Sequence, residues 1–253
     1  RSQTLLHAEE DLLREVSLLA SLEAGSLRVA LGPYPSVVSG YPAMGRLLAR
    51  HPKLAVAMHV AGWREVAHQV AAREVDLGLA ELSGVPDDDQ FESRLVGQHA
   101  GHVFCRPGHP ILASGRVDLP ALLAFPWMAS QLPARIAATL PRELGQAGRI
   151  DGPTGDFVPA IRVDVPMQLA DLMAGCDALA LASLALMERE LDAGKVALVP
   201  TRQVAFQSAY GFISLKGRSL APSARAYMDD VLAVEAEIVQ REAVLAQRYR
   251  DHL

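Results

Sequence analysis

The chain has only two cysteines among its 253 residues, Cys105 and Cys176, so no disulfide framework can hold it together. No apolar run approaches the roughly 18 residues that a membrane span requires. The opening Arg1-Ser2-Gln3-Thr4 leads into mixed charged and apolar residues, so no export signal is expected and the cytoplasm is the expected compartment. A start on Arg1 in place of Met is what a piece of a longer protein would show. Basic excess is missing too: the formal net charge is -5, which argues against these residues gripping nucleic-acid phosphates.

Catalytic signatures are equally scarce. There is no phosphate-binding Walker loop, no dinucleotide glycine fingerprint and no Gly-x-Ser-x-Gly elbow. His99 and His102 share a segment but lack thiols or a carboxylate at ligand spacing, so no metal or other cofactor is implied. Asp164 and Asp171 straddle a strand-to-helix boundary and fix no acid–base geometry. Cys105 and Cys176 lie in apolar settings and read as structural in preference to a redox switch.

What is present is half hydrophobic and 21% charged, an ordinary globular balance. Residues 2–23 carry a stripe of Leu5, Leu12 and Leu19, seven apart, with Val16 and Leu22 beside it. The pattern fits a helix packed on its own domain or a coiled-coil helix pairing with a second copy. Strands are then expected at 27–31, 54–60 and 76–82, alternating with helices through Met44–Leu48 and 63–73, which predicts a parallel sheet.

Residues 91–105 read as extended chain interrupted near Gly97–Gly101. A second α/β series follows, with helices at 118–124, 134–144, 167–174 and 183–191 and strands at 126–129, 161–165 and 178–182. Residues 145–159 read as a loop. A strand over 204–215 and a long helix opened by Pro222 close the chain. Two α/β units predict two lobes with a cleft at the carboxyl ends of the strands.

Three strand-to-helix turns present polar groups there: Tyr34-Pro35-Ser36, Ser130-Gln131 and Val165-Pro166-Met167. Helix starts suit anions, so each turn is a candidate ligand contact; Ser36 and Ser130 could equally cap their helices, and both roles can coexist. The expectation is that Ser36 and Ser130 meet across the cleft on one polar or anionic group.

At this point the residues resemble a known family. Glu23-Ala24-Gly25-Ser26-Leu27-Arg28-Val29 looks like the linker helix and first regulatory strand of LysR-type transcriptional regulators. His51-Pro52-Lys53-Leu54, Arg73-Glu74-Val75-Asp76-Leu77-Gly78-Leu79, Arg106-Pro107-Gly108-His109-Pro110-Ile111-Leu112-Ala113, Ala174-Gly175-Cys176-Asp177-Ala178-Leu179 and Ser223-Ala224-Arg225-Ala226-Tyr227-Met228 follow in the family's order. Cys176-Asp177 and Ala182 depart from the usual residues of their turn.

The resemblance implies an α/β fold of two Rossmann-like lobes, periplasmic-binding-protein-like (type II), preceded by a linker helix. It implies a linker and dimerisation helix at 1–24, lobe I at 25–100 plus 207–253, and lobe II at 101–206. It also implies a small effector, of carboxylate, aromatic or amino-acid-like type, touching Tyr34, Pro35, Ser36, Ser130, Gln131, Pro166 and Met167, with Phe206 as a wall. Homodimers and homotetramers assembled through Leu5, Leu12, Val16, Leu19 and Leu22 are implied as well, and promoter DNA gripped by a winged helix-turn-helix that these residues do not include. A transporter's solute-binding protein, or an enzyme on the same fold, are the alternatives; the first should carry an export signal, the second a fixed catalytic group.

Overall fold

A computed structural model describes residues 25–250 apart from 87–88, 115–116, 165 and 202–205. The leucine stripe at Leu5, Leu12, Val16, Leu19 and Leu22 lies outside the described residues, as does Val165. The chain forms two compact units, one of residues up to Leu95 with Gly211–Glu235, the other of Val96–Tyr210 with Ala236 onward.

The first unit is built on parallel strands β1 (Ser26–Leu31), β2 (Ala55–Val60) and β3 (Leu77–Glu81), with β1 pairing both others. Leu27, Val29, Ala30 and Leu31 have no exposed surface, so β1 is buried on both faces, as a central parallel strand must be. A helical segment over 33–50 follows β1, and the helix Trp63–Ala71 follows β2. The latter stops short of the expected 73, where Arg73 takes φ 61°, the left-handed residue that closes the helix.

In the second unit the order is β4 (Phe91–Cys105), β9 (Leu179–Ala182), β5 (Trp127–Ala129) and β8 (Ile161–Arg162), with β10 (Ala197–Leu198) also on β4. β9, β5 and β8 run parallel; β4 runs against β9. Alternate residues sort into two cores. Val103, Cys105, Trp127 and Leu179 join one, while Phe104, Met128 and Ala180 join the other, so this sheet too is covered on both faces. Trp127 is fully buried and its Nε1 donates to Leu122 O at 3.0 Å. Burying a side chain of that size stabilises by about 3 kcal/mol.

Several elements differ from expectation. β4 is continuous through Gly97 and Gly101; a Cβ at Gly101 would come within 3.1 Å of Phe206 Cβ, so glycine admits the neighbouring strand β11 (Phe206–Leu215) there instead of breaking β4. The helix expected over 134–144 covers Ala134–Ala137 only, since Pro141 lies just beyond and disfavours helical backbone before it. Residues 145–159, read as a loop, contain an antiparallel hairpin of β6 (Gly148–Ile150) and β7 (Phe157–Pro159). The strand expected over 161–165 shrinks to β8.

The final helix, Pro222–Arg248, is divided: it belongs to the first unit up to Glu235 and to the second from Ala236, where Leu245, Ala246 and Tyr249 join the core that holds Phe104. The unit boundaries therefore differ from the expected divisions at 100/101 and 206/207.

Candidate functional site

In the second unit, three adjacent parallel strands end at one edge. Register places Met128 beside both Ile161 and Ala180, so Ser130 after β5, Asp164 after β8 and Ser183 after β9 emerge together. His102 on β4 pairs with Ala182 and stands at the same edge. This is where open α/β sheets receive ligands.

Ser130 is half-buried, and its hydroxyl has no hydrogen-bond partner among the described residues. It does not cap the following helix; the N-cap of Ala134–Ala137 is Pro133, without a side-chain cap. The stabilising carboxylate comes from far along the chain. Asp156, fully buried, accepts the Ala134 N–H at 3.0 Å and the Gln131 Nε2–H at 2.9 Å. Its hairpin is joined to the turn by reciprocal backbone bonds between Leu132 and Phe157, each 2.9 Å. The Asp156 side chain thus supplies an acceptor at that helix start, where the dipole favours one. Asp156 falls inside the segment read as a loop, 25 residues from Gln131, and no local pattern announces it.

Pro166 is buried and opens a short 3₁₀ turn, Pro166–Gln168, that also holds Met167. Phe206 is 6% exposed and packs edge to face on Trp127 at 5.8 Å, so most of its ring belongs to the core. Asp164 pairs with Arg162 at 3.0 Å. His99 Nδ1 meets Glu242 Oε2 at 2.8 Å inside the unit, and His99 stacks on Tyr210. Burial holds the His102 imidazole below its ordinary pKa, with the nearby Glu242 carboxylate partly opposing. Among the described residues no group of His, Cys, Asp and Glu could hold a metal ion. Cys105 is buried and its thiol is pushed up to about 12 by desolvation, far from the thiolate form that redox chemistry needs.

In the first unit, Tyr34, Pro35 and Ser36 follow β1. The helical segment begins at Pro33, with Gly32 as N-cap, so Ser36 lies inside it and does not cap its start. Ser36 is 2% exposed; its hydroxyl donates to Pro33 O at 2.7 Å and its N–H to Gly32 O at 3.0 Å. Pro33 and Pro35 carry no N–H, so this helix start keeps little of the donor array that would attract an anion. A π-helical stretch, Ser36–Gly40, follows directly, a form frequent at functional sites. Tyr227 Oη donates to Gly40 O at 3.1 Å, and a Cβ at Gly40 would press on Leu31, Pro35 O and that hydroxyl.

A hollow of about 350 Å³ lies at the opposite edge of the second unit's sheet, lined by Phe125, Pro126, Ile161, Cys176 and Asp177 among others. It sits at the amino ends of β5 and β9, away from Ser130 and Pro166.

Comparison with known proteins identifies what carries these turns. The description "LysR substrate binding domain" matches residues 20–235. The SDS degradation transcriptional activation protein of a Pseudomonas species is 33% identical over 239 residues, covering 93% of this chain and 75% of that protein. The HTH-type transcriptional regulator GbpR of Azospirillum brasilense is 23% identical over 247 residues, covering 97% and 71%. Among solved structures, the regulatory domain of MetR from Neisseria meningitidis superimposes with a TM-score of 0.62 at 15% identity, covering 85% of this chain and 95% of that one. HinK from Pseudomonas aeruginosa gives 0.62 at 15%, covering 93% and 78%. These relatives are transcriptional regulators, which favours a regulator over a transporter's solute receptor or an enzyme, and their structures carry the same periplasmic-binding-protein-like α/β fold. The chain belongs to the LysR-type transcriptional regulators, of which it is the effector-binding part.

Proposed function

We propose that the effector seats on the carboxyl edge of the second unit, against Ser130 and Gln131, with Pro166 and Met167 on the adjoining turn and Phe206 behind. Tyr34, Pro35 and Ser36 are the first unit's candidates for the same role. The observation that carries this reading is a pair of uncommitted polar atoms at that edge. The Ser130 hydroxyl and the Gln131 side-chain oxygen make no hydrogen bond among the described residues, while Gln131 Nε2 and the Ala134 N–H are both held by Asp156. Ligand sites combine apolar walls with a few such directed groups.

The effector is a small metabolite of carboxylate, aromatic or amino-acid-like type; the relative named for SDS degradation adds alkyl-chain compounds to that set. Its occupancy is read out at promoter DNA through a separate DNA-binding domain, in the cytoplasm. The leucine stripe of residues 5–22 supplies the contacts between copies. No described helix is long and apolar enough to cross a membrane.

A thermal-shift screen of small carboxylates, aromatic acids, amino acids and alkyl compounds finds the effector; at 100 times its Kd it adds about 2.7 kcal/mol of stability. Ser130→Ala then weakens binding several-fold, by roughly 0.5–1.5 kcal/mol, with the ligand-free Tm unchanged because the hydroxyl supports nothing in the fold. Unaltered affinity in Ser130→Ala shows that the turn is not the contact.

A further inference from the structure

We infer that Asp156 is a positioning residue that sets the polarity of the effector contact, so that, within the effector classes proposed above, the Ser130–Gln131 turn receives a hydrogen-bond-donating end, such as an ammonium or an alcohol, in preference to a carboxylate. This rests on the proposed role of that turn.

The argument begins with what a carboxylate can do. Asp156 accepts on both oxygens, Oδ1 from the Ala134 N–H and Oδ2 from Gln131 Nε2. An ionised carboxylate cannot donate, so the end of the Gln131 amide that faces it must be the nitrogen. The amide is thereby fixed in one of its two orientations, and its oxygen is the end turned away. That oxygen has no partner among the described residues. An amide oxygen without a protein partner, on the half-buried Gln131, accepts from whatever arrives, and what it accepts from must carry a hydrogen.

The second step concerns the usual attraction of helix starts for anions. The helix Ala134–Ala137 has its first N–H taken by Asp156, so an incoming carboxylate finds neither the donor nor a positive end without a counter-charge. It would instead approach a fully buried carboxylate one residue-contact behind Gln131. Ammonium and hydroxyl groups gain from the same arrangement. Ser130 adapts to either, because a hydroxyl both donates and accepts.

The hairpin makes the arrangement rigid. Asp151 N–H donates to Asp156 O and Gly155 N–H to Asp151 O, both at 2.8 Å, and the Thr154 hydroxyl donates to Asp151 Oδ2 at 2.7 Å. Reciprocal bonds between Leu132 and Phe157 tie the hairpin to the turn on the other side. Asp156 is thus held from both directions, and the orientation of Gln131 follows from it.

Asp156→Asn tests this, because it exchanges the polarity of the group facing Gln131 while keeping an acceptor for the Ala134 N–H. The introduced carboxamide keeps its oxygen on the Ala134 N–H and turns its NH₂ toward Gln131. The Gln131 amide then flips, its oxygen accepting from the new donor and its own NH₂ facing outward. The probes are benzylamine, benzyl alcohol and benzoate, with hexylamine, hexan-1-ol and hexanoate as an alkyl series, titrated by calorimetry at pH 7.5 and constant ionic strength. The wild-type chain binds the amine and alcohol about tenfold or more tightly than the carboxylate of the same skeleton, the scale of one hydrogen bond to a charged group. Asp156→Asn reverses the order, and Gln131→Leu abolishes the preference without reversing it.

The inference is overturned if the carboxylates bind the wild type as tightly as the amines. It is equally overturned if Asp156→Asn, folded by circular dichroism, leaves the affinity ratio where it was, since that is the signature of a purely structural residue. Should Asp156→Asn fail to fold, the Gln131→Leu ratio decides alone. Ser130→Ala separates the two levels: probe affinities that ignore it, or no binding by any probe, remove the turn as an effector contact and this inference with it, whereas affinities that fall together with a carboxylate preference remove the inference only.

Discussion

His102 shows how a single side chain can be misplaced by its local pattern. With His99 it forms a His-x-x-His that invites a metal reading, yet the two imidazoles meet Glu242 of the final helix instead, His99 directly and His102 through space. An unfolded chain protonates His102 near 6.5, whereas in the folded unit burial keeps it neutral to lower pH, Glu242 only partly offsetting this. Below 6.5 the unfolded state therefore binds more protons, and stability is lost as pH falls through the folded pKa; above about 7 this contribution is flat. Urea titrations between pH 7.5 and 5.5 are expected to show a steeper loss for the wild type than for His102→Gln. Parallel curves would show that His102 is not a source of acid sensitivity. The turn Tyr34-Pro35-Ser36 is expected from its sequence position to suit an anion, but Pro33 and Pro35 lack N–H groups and leave that helix start a weak one. Asp156 was not readable, because its partners Gln131 and Ala134 are distant in the chain and only the hairpin brings them near.

At the scale of elements, periodicity located what is long and missed what is short. The strands around Val29, Met58 and Leu79, the helix at 184–192 and the helix from Pro222 stand close to where alternation, capping and proline placement put them. The β6–β7 hairpin was hidden because its three-residue strands are too brief to show alternation and are rich in glycine and proline. Those same glycines are what the hairpin needs. Gly148 adopts φ 155°, and a Cβ there would lie 2.3 Å from Val158 O and 2.9 Å from the Phe157 ring. No side chain fits without moving backbone. Gly148→Ala is expected to lower stability by roughly 1–3 kcal/mol, measured as a lower urea midpoint, and to alter effector affinity by loosening the turn at Leu132. A variant as stable as wild type would mean that β6 can shift away at little cost.

For the whole molecule, family membership was legible because weak motifs recur in one order across the chain, and order is harder to imitate than any one motif. The fold class followed from the same reading. The division of the final helix between two compact units did not, since its apolar stripe is continuous and carries no mark of what each turn packs against. Assembly is the remaining question at this scale. In the sequence, Leu5, Leu12 and Leu19 repeat every seven residues, with Val16 and Leu22 also apolar and Glu9, Glu10, Arg14 and Glu15 among the residues between them. An apolar repeat of seven residues is the pattern by which helices of two copies pair, and charge placed in such a repeat opposes pairing. Regulators of this family oligomerise, so the expected state in solution is a dimer or larger, not the 27.1 kDa monomer. Light scattering at micromolar concentration measures this directly. Leu12→Glu with Leu19→Glu is expected to lower the mass without changing the circular dichroism of the α/β units. A wild-type chain that runs only as a monomer removes self-association altogether; a double variant that keeps its oligomeric mass places the contact elsewhere on the chain.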